Sequence, residues 1–175
     1  MDIYSNDGYI IHDRFPDNKI HETAIIGKNV SIGKGNIIMP YAVIGQTGFI
    51  RKGIKPEGKI IIGNNNSIGC YVNIMSGIDG MSEVGNDNLI MNHSNIGHDV
   101  FIGNENEIGA GTIVNGYAKI NNRVKIKSGC VIRNRITIAN YIIIGQGSNV
   151  VKDISVPGIY FGNPASLKVL KDFEE

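Results

Sequence analysis

Apolar and polar positions along this chain repeat every six residues. From Ile20 the pattern steps through Ile26, Ile32, Ile38 and Ile44, and it resumes at Ile62, Ile68 and Ile74. After a slip of four residues it restarts at Val84 and continues through Ile90, Ile96, Ile102, Ile108, Val114, Ile120, Ile126, Ile132, Ile138, Ile144, Val150 and Val156. A period of two would describe a half-buried strand, and spacings of three and four a helix. A period of six describes neither, and an internal repeat takes precedence over any single-element assignment.

A second layer supports the first. Gly follows the aliphatic residue at Gly27, Gly33, Gly45, Gly63, Gly69, Gly85, Gly97, Gly103, Gly109 and Gly145, and Asn or Asp crowds the residues after it. Small or β-branched side chains stand two before the aliphatic, as at Ser94, Val100, Thr112, Ala118, Val124 and Cys130. This predicts a coil with flat sides, one hexapeptide per side. The aliphatic and the residue two before it point inward, and Gly or Asn, which tolerate positive φ, turn the corner. Three sides close a triangular coil of about 18 residues whose neighbours lie ~4.8 Å away. One coil cannot bury its own inner face, so stability comes from stacking, with each buried Ile contributing roughly 1.5–3 kcal/mol. The class is therefore all-β, a single-stranded parallel β-helix.

Composition narrows the function. The 175 residues suit one domain, and a net charge of +1 offers no footprint for nucleic acid or an anionic membrane. No apolar run approaches the ~20 residues that span a bilayer, and residues 1–7 lack the order of a secretory leader. Cys70 and Cys130 are too few for a disulfide framework, so a reduced, cytoplasmic setting is expected. Residues 1–19 read as a lead-in, 20–156 as the β-helix, and 157–175 as a cap. Two loops interrupt the coil, near 46–59 and 76–83. The cap ends in Ser166-Leu167-Lys168-Val169-Leu170, whose amphipathic spacing predicts a short helix.

Chemistry must come from a residue that breaks the polar exterior. His98 lies two residues after inward Ile96 and so points outward, with Asp99 beside it to fix its tautomer and raise its basicity. One coil on stands Gly116, which would lay a bare backbone N–H against the imidazole. One coil back, allowing for the slip, is Ser76 at the edge of the second loop. A base, an oxyanion donor and a flanking loop converge on one patch.

The run from Val84-Gly85-Asn86-Asp87-Asn88-Leu89-Ile90-Met91 through Ile96-Gly97-His98-Asp99-Val100-Phe101-Ile102-Gly103-Asn104 resembles the hexapeptide-repeat acyltransferases. It is similar to the UDP-N-acetylglucosamine O-acyltransferases and to the nucleotide-amino-sugar N-acetyltransferases. The resemblance covers roughly residues 20–165. It implies a left-handed helix, against the usual right-handed rule for parallel crossovers. It also implies a homotrimer with active sites between subunits, His98 as general base, Asp99 as its orienting acid and Gly116 as oxyanion donor. Ser76, Asn92, His93 and Asn95 are expected to hold the acceptor. Asn95 replaces a histidine of the O-acyltransferases, and Met75-Ser76-Gly77-Ile78 replaces their His-Arg-Gly-Thr segment. The ending Asp153-Ile154-Ser155-Val156-Pro157-Gly158 with Gly162-Asn163-Pro164-Ala165 resembles the coenzyme-A-dependent members. The donor expected is therefore acetyl-CoA or another short acyl-CoA, with Asn134, Lys152 and Lys168 along its path, and the acceptor a sugar or nucleotide sugar. No metal is expected. An acyl-carrier-protein donor is the alternative.

Two other classes stand beside this one. His93 and His98 are spaced as in the zinc site of γ-class carbonic anhydrases, but a catalytic zinc of that kind needs three histidines, and His12 and His21 fall far away. A non-catalytic hexapeptide scaffold would leave His98, Asp99 and Gly116 without a role.

Overall fold

A computed structural model describes residues 9–47, 49–50, 53–54 and 58–170. The chain winds through three sheets in turn, of ten, seven and six strands, here the first, second and third sides of a triangular prism. The register on each side is parallel and in step. Leu89 and Ile90 pair with Glu107 and Ile108 on the first side, Asn95 and Ile96 with Ile113 and Val114 on the second, and Phe101 and Ile102 with Lys119 and Ile120 on the third. One coil is thus 18 residues. The aliphatic column fills the interior: Ile90, Ile102, Ile108, Ile120, Ile126, Ile132 and Ile138 are all 0% exposed.

The residue two before the aliphatic also points inward. On the first side that place is taken by Asn36, Asn66, Asn88 and Asn106, all buried. Their amides stack into a ladder, Asn36 Nδ2 donating to Asn18 Oδ1, Asn66 Nδ2 to Asn36 Oδ1 and Asn88 Nδ2 to Asn66 Oδ1, each at 2.9 Å. Each rung satisfies the one before, which is how a buried amide avoids its desolvation cost.

Gly45, at φ 84°, turns a corner as expected, as do Gly35, Asn65 and Gly111, but most glycines that follow an aliphatic do a different job. A Cβ on Gly97 would stand 2.7 Å from the Gly116 nitrogen, and one on Gly85 would stand 2.5 Å from the Gly103 oxygen. These glycines permit one coil to approach the next. The left-handed corner residue comes two places later and is often large: Tyr71, Asp87, His93, Asp99, Glu105, Tyr117 and Arg123 have φ between 54° and 61°.

Both interruptions leave the coil and return to it. Ile38 pairs with Ile68, thirty residues on, and the added length includes a two-stranded antiparallel hairpin, Phe49–Ile50 with Gly53–Ile54. Ile68 pairs with Ile90, twenty-two residues on. The second excursion is shorter than 76–83. Met81–Val84 is already a strand of the third side, paired with Lys59–Ile62, and Ser82 is buried in the inward place before Val84. Residues 77–80 form the projecting part.

The cap helix expected at the C-terminus is a strand. Ala165–Leu170 runs antiparallel to Gly158–Gly162 and closes the first side as a hairpin. Gly162, at φ 112°, and Asn163-Pro164 make the reversal, and the returning segment pairs with the open edge of the last coil. A helix there would leave that edge unpaired. Among the described residues no helix is long and apolar enough to cross a membrane.

Candidate active site

The strand Asn95–Ile96 runs along the second side and reaches the corner to the third at Gly97-His98-Asp99. Asp99 holds the corner conformation at φ 54°, which Asp tolerates better than most residues. That conformation sets its carboxylate beside its own neighbour: Oδ2 lies 2.8 Å from His98 Nδ1. An ionised carboxylate only accepts, so in the neutral ring Nδ1 carries the proton and Nε2 the lone pair. The imidazole side chain is 27% exposed and the carboxylate 7%.

Asp99 has a second set of partners. The N–H groups of Ile78 (2.8 Å), Gly80 (2.7 Å) and Asp79 (3.4 Å) all donate to it. Burial works to raise its pKa, but the Ile78 N–H, the His98 ring and the Gly80 and Asp79 N–H groups together hold it below the usual carboxylate value. One side chain therefore orients the imidazole and pins the 77–80 loop.

Gly116 lies directly against the ring. A Cβ there would come within 2.8 Å of both Cε1 and Nε2 of His98, so only glycine leaves the imidazole where it is. Among the described residues no acceptor takes the Gly116 N–H. A nitrogen base with a free lone pair and an unengaged backbone donor thus occupy one patch. That pair can accept a proton from a nucleophile and stabilise an oxyanion.

The other expected site residues are distributed unevenly. Ser76 is 0% exposed and its hydroxyl donates to the Gln46 carbonyl at 3.2 Å, so it supports the start of the loop and presents nothing to a ligand. It holds the place of His98 in the rung before, since Ile74 pairs with Ile96, but the chain leaves the coil directly after it. Asn95 is exposed on the second side, its Oδ1 accepting from Asn73 Nδ2 at 2.8 Å. Asn92 and His93 sit at the far corner of that side, between the first and second sheets. His93 and His98 therefore occupy different corners. Among the described residues no three His, Cys, Asp or Glu side chains gather as a metal site requires. Asn134 and Lys152 are exposed on the rungs beyond Gly116. Lys168 is elsewhere: it lies on the terminal hairpin of the first side, with its Nζ 5.4 Å from the Phe161 ring centroid, across the prism from the His98 corner.

Sequence reasoning passed over Tyr117, which touches His98, and the arginines of the rung beyond it. Tyr117 sets its ring edge against the imidazole, centroids 4.9 Å apart at 88°, and its hydroxyl donates to Asp79. That bond, before burial and the nearby carboxylates, pushes the phenol pKa up, so the hydroxyl keeps its proton. The Arg135 guanidinium covers Tyr117 at 4.1 Å from the ring centroid, and Arg133, exposed on the same rung as Arg135, donates to the Val151 carbonyl at 3.5 Å. The signal was available: Tyr117 and Arg135 follow Asp99 at intervals of one coil.

The six-residue coil and its His–Asp–Gly corner place the chain beside the hexapeptide-repeat acyltransferases, in sequence and in fold. Two kinds of relative make this concrete. The acyl-[acyl-carrier-protein]–UDP-N-acetylglucosamine O-acyltransferase of Rickettsia africae is 35% identical over 85 residues, 47% of this chain and 31% of that protein. The UDP-N-acetylglucosamine acyltransferase of Bacteroides fragilis superposes with a TM-score of 0.83 at 33% identity, over 87% of this chain and 60% of that one. The Francisella novicida enzyme of the same name gives 0.71 at 27% identity, over 86% and 64%. The fold is the left-handed parallel β-helix of those proteins. No family model matches the chain. It spans about a third of the length of the curated relatives that it matches.

Proposed function

We propose that this protein is an acyltransferase that moves an acetyl or short acyl group from a coenzyme A thioester to an amine or hydroxyl of a sugar, probed best as a nucleotide sugar. The observation that carries the reading is His98 Nδ1 held at 2.8 Å by Asp99 while Nε2 stands against the bare backbone of Gly116. The acceptor nitrogen or oxygen attacks the thioester carbonyl as Nε2 takes its proton. The carbonyl oxygen becomes an oxyanion on the Gly116 N–H, the C–S bond then breaks, and the proton passes to the departing thiolate. General-base help of this kind contributes about 10²–10⁴ in rate, and an oxyanion donor about 2.7–4 kcal/mol. Neither thiol stands at the His98 corner: Cys130 is in the core, where burial pushes its pKa up, and Cys70 lies at the corner between the first and second sides. Asn134, Lys152, Arg133 and Arg135 lie on the rungs beyond Gly116 and supply donors for an anionic donor or acceptor. Cys70 and Cys130, both free thiols, suit work in the cytoplasm.

The relatives' names favour a second reading, acyl transfer from acyl carrier protein to UDP-N-acetylglucosamine. One experiment separates the two. Nucleotide-linked amino and hydroxy sugars are offered with acetyl-CoA or with acyl-acyl-carrier-protein, and released thiol is measured. Release with acetyl-CoA supports the first reading, release only with the carrier protein the second, and none with either overturns both.

His98 stands on a convex corner, so one prism alone does not wall off a thioester from water. The assembly that completes the site is a homotrimer, in which a second prism packs alongside. Exposed Ile113 and Val131 on the second side and Phe101 on the third give it apolar surface to cover. Light scattering tests the assembly. His98→Ala chains co-refolded with chains altered on the opposing wall test the sharing, since a shared site regains part of its activity.

A further inference from the structure

At the corner between the first and second sides three rings form a column. Tyr41 and Tyr71 stack with centroids 4.9 Å apart at 14°, and Tyr71 and His93 at 5.0 Å and 3°. All three residues hold a left-handed backbone, at φ 60°, 57° and 60°, a conformation uncommon for bulky side chains. The tyrosines are about half exposed, at 49% and 54%. The column stops at His93. The next rung carries Gly111, whose N–H donates to the Asn92 carbonyl, and a Cβ built on Gly111 meets nothing within 4 Å. One face of the His93 ring is therefore covered by Tyr71, and the other looks onto open space above a bare backbone.

A separate feature lies on the flat side next to that corner. A cavity of about 270 Å³ on the first side runs up to the same corner, lined there by Leu89, Met91, Asn92 and Ala110. Asn92 uses its Oδ1 to accept from the Cys70 N–H, and its NH₂ donates to no described residue. A planar ring laid on His93 would thus have a stacking partner on one face and the bare backbone of Gly111 on the other, with no side chain in its way. An unobstructed π-face at the end of an aromatic stack is what a nucleobase needs in order to bind by stacking.

We infer that the open end of this column, His93 above Gly111, is a stacking site for a nucleobase. The inference rests on the acyl-transfer reading for its ligand. From His93 to His98 the chain crosses one flat side, about 16 Å at ~3.3 Å per residue. That is comparable to an extended nucleoside diphosphate sugar, so a base at one corner places its sugar near the base at the other, across exposed Asn95. A uracil-type base of the acceptor and the adenine of coenzyme A share this chemistry.

The test uses the full chain and needs no turnover. Its four histidines give a small imidazole spectrum. Titration with UMP and with AMP is expected to move the His93 ring protons upfield, and ribose 5-phosphate, which lacks a base, is expected to leave them in place. UMP binding more tightly assigns the site to the acceptor, and AMP to the coenzyme. Gly111→Tyr fills the next rung with a residue that Tyr41 and Tyr71 already accommodate at the same φ, and it should weaken nucleotide binding about tenfold. His93→Ala should weaken it similarly, and His93→Tyr should retain it. Equal shifts with ribose 5-phosphate, or undiminished affinity in folded Gly111→Tyr, overturn the site. So does a change of subunit number in Gly111→Tyr, which would mean that another copy covers the column. Base binding without thioester turnover would sink the acyl-transfer reading and leave the site standing.

Discussion

Tyr117 and Asp79, 38 residues apart in sequence, are joined by a hydrogen bond that passes over the rung carrying His98. Asp79 belongs to the loop before that rung and Tyr117 to the corner after it. With Asp99 holding the loop from beneath, the imidazole sits between two fastenings. Tyr117→Phe keeps the ring edge on His98 and the Arg135 stack but removes the hydroxyl. Loss of one such bond costs about 0.5–1.5 kcal/mol. The expected outcome is faster amide exchange at Gly80, a kcat lowered severalfold and a KM nearly unchanged. Unaltered exchange at Gly80 would show that the loop is fixed by Asp99 alone.

His98→Ala and Asp99→Asn should separate chemistry from structure. The imidazole lies outside the core, so His98→Ala is expected to reduce thioester turnover by about 10²–10⁴ with little change in melting temperature. Asp99→Asn leaves the imidazole present and should cost less activity. It should cost more stability, because the new NH₂ must face the N–H donor of either Ile78 or Gly80, which bond to different carboxylate oxygens. Parallel melting curves and free-thiol assays decide both points.

Gly116→Ala tests the close approach at the corner. The added methyl would stand 2.8 Å from Nε2 and must push the ring aside. Turnover should fall at least a hundredfold while the far-ultraviolet spectrum stays that of the parent. A fully active Gly116→Ala would rule out the imidazole position proposed for catalysis.

The low pKa of Asp99 sets the sign of an acid effect. A carboxylate whose folded pKa lies below its unfolded value stabilises the fold above the unfolded value, about 3.9, and loses that contribution as pH falls through the folded one. The stability gap between the parent and Asp99→Asn should therefore be present at about pH 5, above the ordinary carboxylate range. It should close below the ordinary carboxylate range. Chemical denaturation along a pH series measures it, and a gap that widens in acid would contradict the assignment.

The sequence by itself determined the coil. A six-residue period of Ile and Val specifies which residues point inward, because any other phase would expose the aliphatic column to water. Eighteen residues per turn then sufficed to bring Gly116 to His98, since rungs of equal length stack in register. The four-residue slip announced the projecting loop for the same reason. What depended on space rather than period was decided only by the tertiary structure. Glycine after each aliphatic looked like a corner residue, yet at most of these positions it is fixed by the approach of the next coil. The corner itself carries residues such as Tyr117 and Asp99, whose neighbours in the stack supply their partners. Ser76 turned inward because the chain leaves the coil after it, and Asp79 reached Tyr117 because the loop that follows folds across a rung. The C-terminal segment became a strand because the last coil presents an unpaired edge. Period is a local property that side-chain burial enforces residue by residue, whereas the fastenings around His98 depend on which rungs come to lie against one another.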